Sequence, residues 1–266
     1  MLDVARFPKR IAERVDGFAW RYDKDGMSGA TILLYDEMVL KIEEVSRSST
    51  HEKALLEWLE GRLPVPGIIE HEMQDGYSFL LMSRIAGEMA CSKESMRCLE
   101  RTIRALAKGL RMLWQIDIAN CPCVNGVPEK LMQAQERIAH NLIDVEDFDP
   151  ETLGAEGFED VSHLYSYLYQ NRPEEDLVFS HGDFCLPNVF VSGGEIAGLI
   201  DWGNGGVADR WQDIALCVRS LRHNCGVRGL YGEEAYQAYE RLLFSEMGVA
   251  PCEEKIRYYM LLDELF

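Results

Sequence analysis

Over the first eighty positions apolar residues gather in short runs, and afterwards they fall into a helical period. Thr31–Tyr35, Met38–Ile42 and Tyr77–Met82 read as strands, with one helix among them from roughly His51 to Arg62. That part is expected to be a small sheet-based lobe. After Ala86-Gly87-Glu88 the spacing changes, and Met96, Leu99, Ile103, Leu106, Leu110 and Leu113 recur at alternating intervals of three and four. This predicts one long amphipathic helix opening a mainly helical lobe. The stretch from Asp144 to Asp160 is acidic, carries Pro150, Gly154 and Gly157, and reads as a loop between helices.

A second pattern lies further on. Asp176–Ser180 reads as a strand entering a loop, and Val189–Val191 and Ile196–Ile200 flank Ser192-Gly193-Gly194-Glu195, a hairpin signal. A two-residue turn sets Ser192 against Glu195, which places Asn188 opposite Leu199 and leaves Asp201 one step beyond the ladder. An amide oxygen and a carboxylate then converge, as a hard cation requires. Asp183, ahead of the hairpin, is free to face an incoming hydroxyl. The stretch His181-Gly182-Asp183-Phe184-Cys185-Leu186-Pro187-Asn188, followed by Asp201-Trp202-Gly203, has the spacing of a phosphoryl-transfer site with one base and two Mg²⁺ ligands. Singly, Gly182-Asp183 reads as a turn and Asn188 as a strand start; the set reads as chemistry. His181 is expected to hold the loop by hydrogen bonds rather than to move a proton.

Two further positions bear on phosphate. Lys41 ends an apolar strand, and Glu52 shares a helix face with Leu55, Leu56 and Leu59, so its carboxylate points coreward. A buried carboxylate needs a partner, and a strand lysine that also serves phosphates supplies one. The other reading is a carboxylate favoured by the helix dipole near the first turn. Gly26-Met27-Ser28-Gly29-Ala30 either covers phosphates with main-chain N–H groups or is an ordinary turn.

Composition narrows the classes. With 266 residues, 47% of them hydrophobic, the chain is long enough for a large core in one domain or two lobes. The 27 basic against 45 acidic residues give −18, which disfavours nucleic acid and anionic lipid and favours a polycation. The eight cysteines lack paired CxxC spacing and the six histidines are dispersed, so reduced thiols and no transition-metal site are expected. Neither a secretory leader nor an apolar run of the roughly 18 residues that span a bilayer is visible. A soluble cytoplasmic protein is expected.

With these residues in hand, the chain resembles the bacterial aminoglycoside phosphotransferases, above all the 3′-type kanamycin/neomycin kinases. The resemblance runs from about residue 20 onward and includes Trp58–Pro66, Leu80–Ser83, Val178–Asp183, Asp209–Ala215 and the closing run Leu261–Phe266. It implies an α+β, two-lobed protein-kinase-like fold: a small antiparallel-sheet N-lobe over 1–83, a hinge over 84–90 and a larger mainly helical C-lobe over 91–266. It also implies transfer of the ATP γ-phosphoryl group to a sugar hydroxyl.

By position, the resemblance makes Asp183 the catalytic base or hydroxyl-orienting group and Asn188 and Asp201 the Mg²⁺ ligands. Lys41, held by Glu52, meets phosphates with Ser28, and Met82, Ser83 and Ile85 lie at the hinge beside adenine. Asp213 braces the catalytic loop. Asp149, Glu151, Asp263, Glu264 and the Phe266 carboxylate line the site for a cationic aminoglycoside; without the resemblance the closing run reads as a solvated tail. Two departures stand out: Val39 where some relatives stack an aromatic ring on adenine, and Asn204 where many have arginine. A kinase of choline, a macrolide or another small alcohol on the same fold, and a silent module that sequesters cations, are the competing readings. Antibiotic spectrum, 3′ against 5″ regiochemistry, GTP use and oligomeric state stay open.

Overall fold

The computed structural model describes residues 7–23, 29–154, 157–226 and 231–266. Strands β1 Arg21–Tyr22, β2 Thr31–Leu34, β3 Met38–Glu44, β4 Ile68–Gln74 and β5 Tyr77–Ser83 form an antiparallel sheet in the order β1-β2-β3-β5-β4. Helix α1, Lys9–Val15, packs on β4, and α2, Arg47–Leu59, follows β3. The sequence pattern misses β4, an edge strand whose Glu70 and Glu72 carboxylates lie 3.1 and 3.2 Å from the Arg10 guanidinium. Its charged residues hide the period of two.

Helix α2 begins four residues ahead of the expected His51. Ser46 and Ser49 cap it reciprocally: Ser46 Oγ accepts from Ser49 N at 3.1 Å and Ser49 Oγ from Ser46 N at 2.9 Å. Glu52 therefore sits in the second turn, past the free N–H groups, and the helix dipole does not account for it.

The long helix expected over 96–113 is two, α3 Lys93–Arg97 and α4 Leu99–Trp114. Ser92 caps the first of them, and the break falls at Cys98 (φ −110°, ψ 41°). Ser95 O, which an unbroken helix would offer to Leu99 N, instead accepts from Cys98 N at 3.1 Å and from Thr102 Oγ1 at 2.8 Å.

Two small sheets and the remaining helices complete the described residues. β6 Glu88–Met89, β8 Val189–Ser192 and β9 Glu195–Leu199 pair in that order, and β7 Leu177–Ser180 pairs with β10 Gly206–Asp209. α5 Val127–Ala139, α6 Val161–Gln170, α7 Arg210–Gly226, α8 Glu233–Met247 and α9 Glu253–Asp263 surround them, α4 packing on α8 and α7 on α9. All eight cysteines are free thiols. Among the described residues no helix is long and apolar enough to cross a membrane.

The packing joins the sheet to the helices through α2. A small core of Phe7, Ile11, Leu33, Leu40 and Leu81 fills the five-stranded sheet, whereas Leu55, Leu56 and Leu59 belong to the large core with α4 and α7. The Trp58 ring packs tilted against Phe179 of β7, centroids 5.2 Å apart, and Leu199 N donates to Pro64 O at 2.9 Å. The helix that carries Glu52 is thus seated on the strands that flank residues 181–188.

Candidate active site

The hairpin forms where expected, with a different register. Ser192 faces Glu195 and Val191 faces Ile196, but Phe190 pairs with Gly198 and Val189 with Leu199, because Ala197 bulges out of β9. Leu199 is therefore opposite Val189 rather than Asn188. Asn188 O instead accepts from Ile200 N at 3.1 Å, so the ladder runs one step past β9 and brings Asn188 beside the residue preceding Asp201. Asp201 takes φ +65°, a left-handed conformation that turns the chain out of the strand. A Cβ on the nearby Gly203 would meet Ser48 Oγ of α2 at 2.0 Å, so the loop after Asp201 lies directly against that helix.

The loop before the hairpin is held by main-chain donors. Asp213, buried on α7, accepts from His181 N at 2.7 Å and Gly182 N at 2.9 Å, and its neighbour Gln212 donates Nε2 to Gly182 O at 2.9 Å. Gly182 has φ +82°, and a Cβ there would sit 1.8 Å from Asn204 O. The His181 ring is buried; Nδ1 accepts from Asp183 N at 3.3 Å, which leaves Nε2 to donate to Ile200 O at 2.9 Å. Burial pushes the imidazole below its ordinary pKa despite Asp213 and Asp201, as befits a neutral ring bridging loop and hairpin. Asn188 Nδ2 donates to Asp183 O at 3.1 Å and to Asp183 Oδ2 at 2.9 Å. Burial, then Asp263 and Asp201, raise the Asp183 carboxyl above the usual range against the bonds that it accepts.

On the sheet side, Lys41 Nζ lies 2.7 Å from Glu52 Oε2, 3.2 Å from Asp201 Oδ1 and 3.5 Å from Glu43 Oε1. Burial alone would lower the ammonium, but Glu52, Asp201 and Glu43 outweigh it and hold the Lys41 pKa well above the ordinary value. Met82 is buried and pairs with Val39 and Ile68; Ser83, half-buried, accepts from Gly67 N through Oγ at 2.9 Å. Ile85 lies against β9, where a Cβ on Gly198 would touch it at 2.5 Å. Ser28 lies outside the described residues.

The acidic side is already partly paired. Asp263 is ion-paired with Arg219, and Glu264 accepts from Asp149 N at 3.1 Å. Asp149 and Glu151 are exposed, and Phe266 O accepts from Arg137 Nη2 at 2.8 Å. Arg219, Arg137 and Lys130, whose ammonium sits 4.7 Å from the Phe266 ring, escaped the sequence reading. Lys130 and Arg137 lie on α5 and Arg219 on α7, and no local motif marks them. Asn204, exposed, uses its main-chain oxygen to accept from Asn125 Nδ2 at 2.8 Å.

The donor chemistry fits Mg²⁺. Asn188 commits its Nδ2 to Asp183, which leaves Oδ1 for a cation, and Asp201 offers a carboxylate; magnesium is commonly held by one or two such oxygens together with substrate phosphates.

A family model described as the phosphotransferase enzyme family matches residues 20–245. An aminoglycoside 3′-phosphotransferase of Enterococcus faecalis is 36% identical, with 98% of each chain covered, and one of Staphylococcus aureus is likewise 36% identical over 98% of each. The crystal structure of an aminoglycoside-3′-phosphotransferase of type VIII superposes with a TM-score of 0.80 at 30% identity, covering 97% of both chains.

Proposed function

The chain belongs to the phosphotransferase enzyme family, and on that premise we propose that it transfers the γ-phosphoryl group of ATP to the 3′-hydroxyl of an aminoglycoside antibiotic, conferring resistance. The observation that carries this reading is the pair of contacts Glu52–Lys41–Asp201 and Asn188–Asp183, which brings a lysine ammonium, two oxygen donors and a half-buried carboxylate to the base of one hairpin. Asp183 orients the hydroxyl for in-line attack and accepts its proton; Lys41, held by Glu52, binds phosphate oxygens. Asn188 and Asp201 hold Mg²⁺, which when bound neutralises charge on the phosphate oxygens. Met82, Ser83 and Ile85 border adenine, and Ser28 covers phosphate. Residues 1–83 and 91–266 act as lobes about 84–90, in a soluble cytoplasmic enzyme.

Charge supports the choice of antibiotic. Burial, then Asp263 and Asp201, push the Asp183 carboxyl upward, and the carboxylates that face one another there are of the sign that cations relieve. The ammonium groups of an aminoglycoside, bound by Asp149, Glu151, Asp263, Glu264 and Phe266, have that sign. The test is product NMR after incubation with Mg·ATP and kanamycin, alongside lividomycin, which lacks the 3′-hydroxyl. Kanamycin 3′-phosphate and unmodified lividomycin are expected. Phosphorylation of choline without kanamycin turnover, or antibiotic binding without ADP release, would overturn the reading.

A further inference from the structure

Arg137 ties together two segments that reach the antibiotic side from different parts of the chain. From α5 its Nε donates to Leu265 O at 2.9 Å and its Nη2 to Phe266 O at 2.8 Å, while the same Nη2 donates to Leu142 O at 2.9 Å. Leu142 opens the stretch that leads to Asp149 and Thr152. The far end of that stretch is fastened to the same place, because Asp149 N donates to both Glu264 oxygens at 3.1 and 3.3 Å and Thr152 Oγ1 to Glu264 Oε1 at 3.4 Å. The 142–152 loop is therefore pinned at both ends to residues 264–266, once through Arg137 and once through Glu264.

The Phe266 ring makes this arrangement matter beyond packing. It lies 4.7 Å from Lys130 Nζ and 5.9 Å from Arg137 Cζ, between two cations. Lys130 is 3% exposed, and the Phe266 ring lies over its ammonium. Movement of residues 264–266 would uncover that ammonium. The planar fork of Arg137 reaches three main-chain oxygens on two segments at once, and a lysine in its place keeps the charge without the fork.

We propose that Arg137 is a positioning residue that holds the 142–152 loop against residues 264–266, and thereby sets the shape of the single acidic wall that a polycationic substrate meets. This rests on the antibiotic site proposed above. Arg137 makes its hydrogen bonds to Leu142, Leu265 and Phe266, away from the Asp183–Asn188 loop, so its effect falls on binding of the antibiotic and not on the phosphoryl step.

The experiment compares the full chain with Arg137→Met and Arg137→Lys. Hydrogen exchange gives a readout that needs no activity: faster exchange of the Asp149 and Leu265–Phe266 amides is expected in Arg137→Met, with the α4 and α7 amides unchanged, and unaltered protection would overturn the proposal. In kinetics, the kanamycin KM is expected to rise about tenfold in Arg137→Met and less in Arg137→Lys, with kcat and the ATP KM within about twofold of the parent. Equal kanamycin KM values in all three proteins, or a kcat loss as large as the KM rise, would overturn it. Should Arg137→Met fail to fold, Arg137→Lys decides alone on the same two readouts. If the unaltered chain phosphorylates no aminoglycoside, the functional reading falls while the exchange comparison still judges the clamp.

Discussion

Asn188 holds Asp183 by two hydrogen bonds from one amide nitrogen, to the main-chain oxygen at 3.1 Å and to carboxylate Oδ2 at 2.9 Å. The residue proposed to hold the metal thus also orients the carboxylate proposed as the base, and the loop between them closes on itself through Asn188 N donating to Cys185 O at 3.0 Å. Asp183→Ala removes the aimed carboxylate and leaves the antibiotic walls alone. Turnover is expected to fall by about 10² to 10⁴ while the antibiotic Kd stays within a few-fold. Rapid-quench kinetics beside calorimetry measures both, and a variant that retains a tenth of the parent rate would remove Asp183 from the mechanism.

Glu52 and Lys41 form an ion pair in which the carboxylate is 2% and the lysine 8% exposed, and a buried pair that loses one member leaves an uncompensated charge. Here Lys41 keeps Asp201 at 3.2 Å and Glu43 at 3.5 Å, so the loss lies at the low end of the usual range. Glu52→Gln is expected to cost about 3 kcal/mol in unfolding free energy and to raise the ATP KM with the antibiotic KM unchanged. Urea denaturation and steady-state kinetics check it. A loss below about 1 kcal/mol, with the ATP KM unmoved, would mean that Glu52 does not hold Lys41.

These two pairs also mark what the amino-acid order reveals by itself. Asp183, Asn188 and Asp201 are legible because fixed spacing on a loop and hairpin makes proximity a local property. Glu52 is legible because its coreward face shares the leucine period. The register of the hairpin was not: the Ala197 bulge occurs beside Gly198, a position filled by Ile85 from a segment far off in sequence. Nor was the start of α2, set by a serine-serine cap, nor the break at Cys98, where a hydroxyl seven residues along takes a helical carbonyl. Arg137 shows the same limit, since its partners are main-chain oxygens up to 129 residues away and carry no residue signature.

His71 on β4 offers a pH test away from the site. Its Nε2 lies 3.1 Å from Ser78 Oγ, and burial, with Lys53 adding to it and Glu57 and Glu70 opposing, holds the imidazole below its ordinary pKa. A group whose folded pKa is depressed contributes stability above its unfolded value, about 6.5, and loses it as the pH falls towards the folded value. His71→Gln keeps a neutral hydrogen-bonding side chain that does not titrate. The stability of the parent relative to this variant is therefore expected to decline between about pH 7.5 and about pH 5. Urea unfolding of both proteins at the two pH values measures the change; a constant difference would show that His71 stays solvated and titrates normally.

Asp201 combines a strained backbone with a shared carboxylate, and the two can be separated. Its φ of +65° is tolerated by asparagine as well as aspartate, so Asp201→Asn changes the charge without adding strain. The amide oxygen can still accept from Lys41 Nζ, now 3.2 Å from Oδ1, so stability is expected to stay within about 1 kcal/mol of the parent. What is lost is the negative charge offered to a divalent cation. In the parent, Mg²⁺ is expected to tighten ADP binding over that in EDTA; in Asp201→Asn that gain should largely vanish and turnover should fall by at least about 10². Calorimetric titration of ADP with and without magnesium decides it. An undiminished Mg²⁺ effect in the variant would assign Asp201 to Lys41 alone, as a counter-charge, and the metal would need another carboxylate.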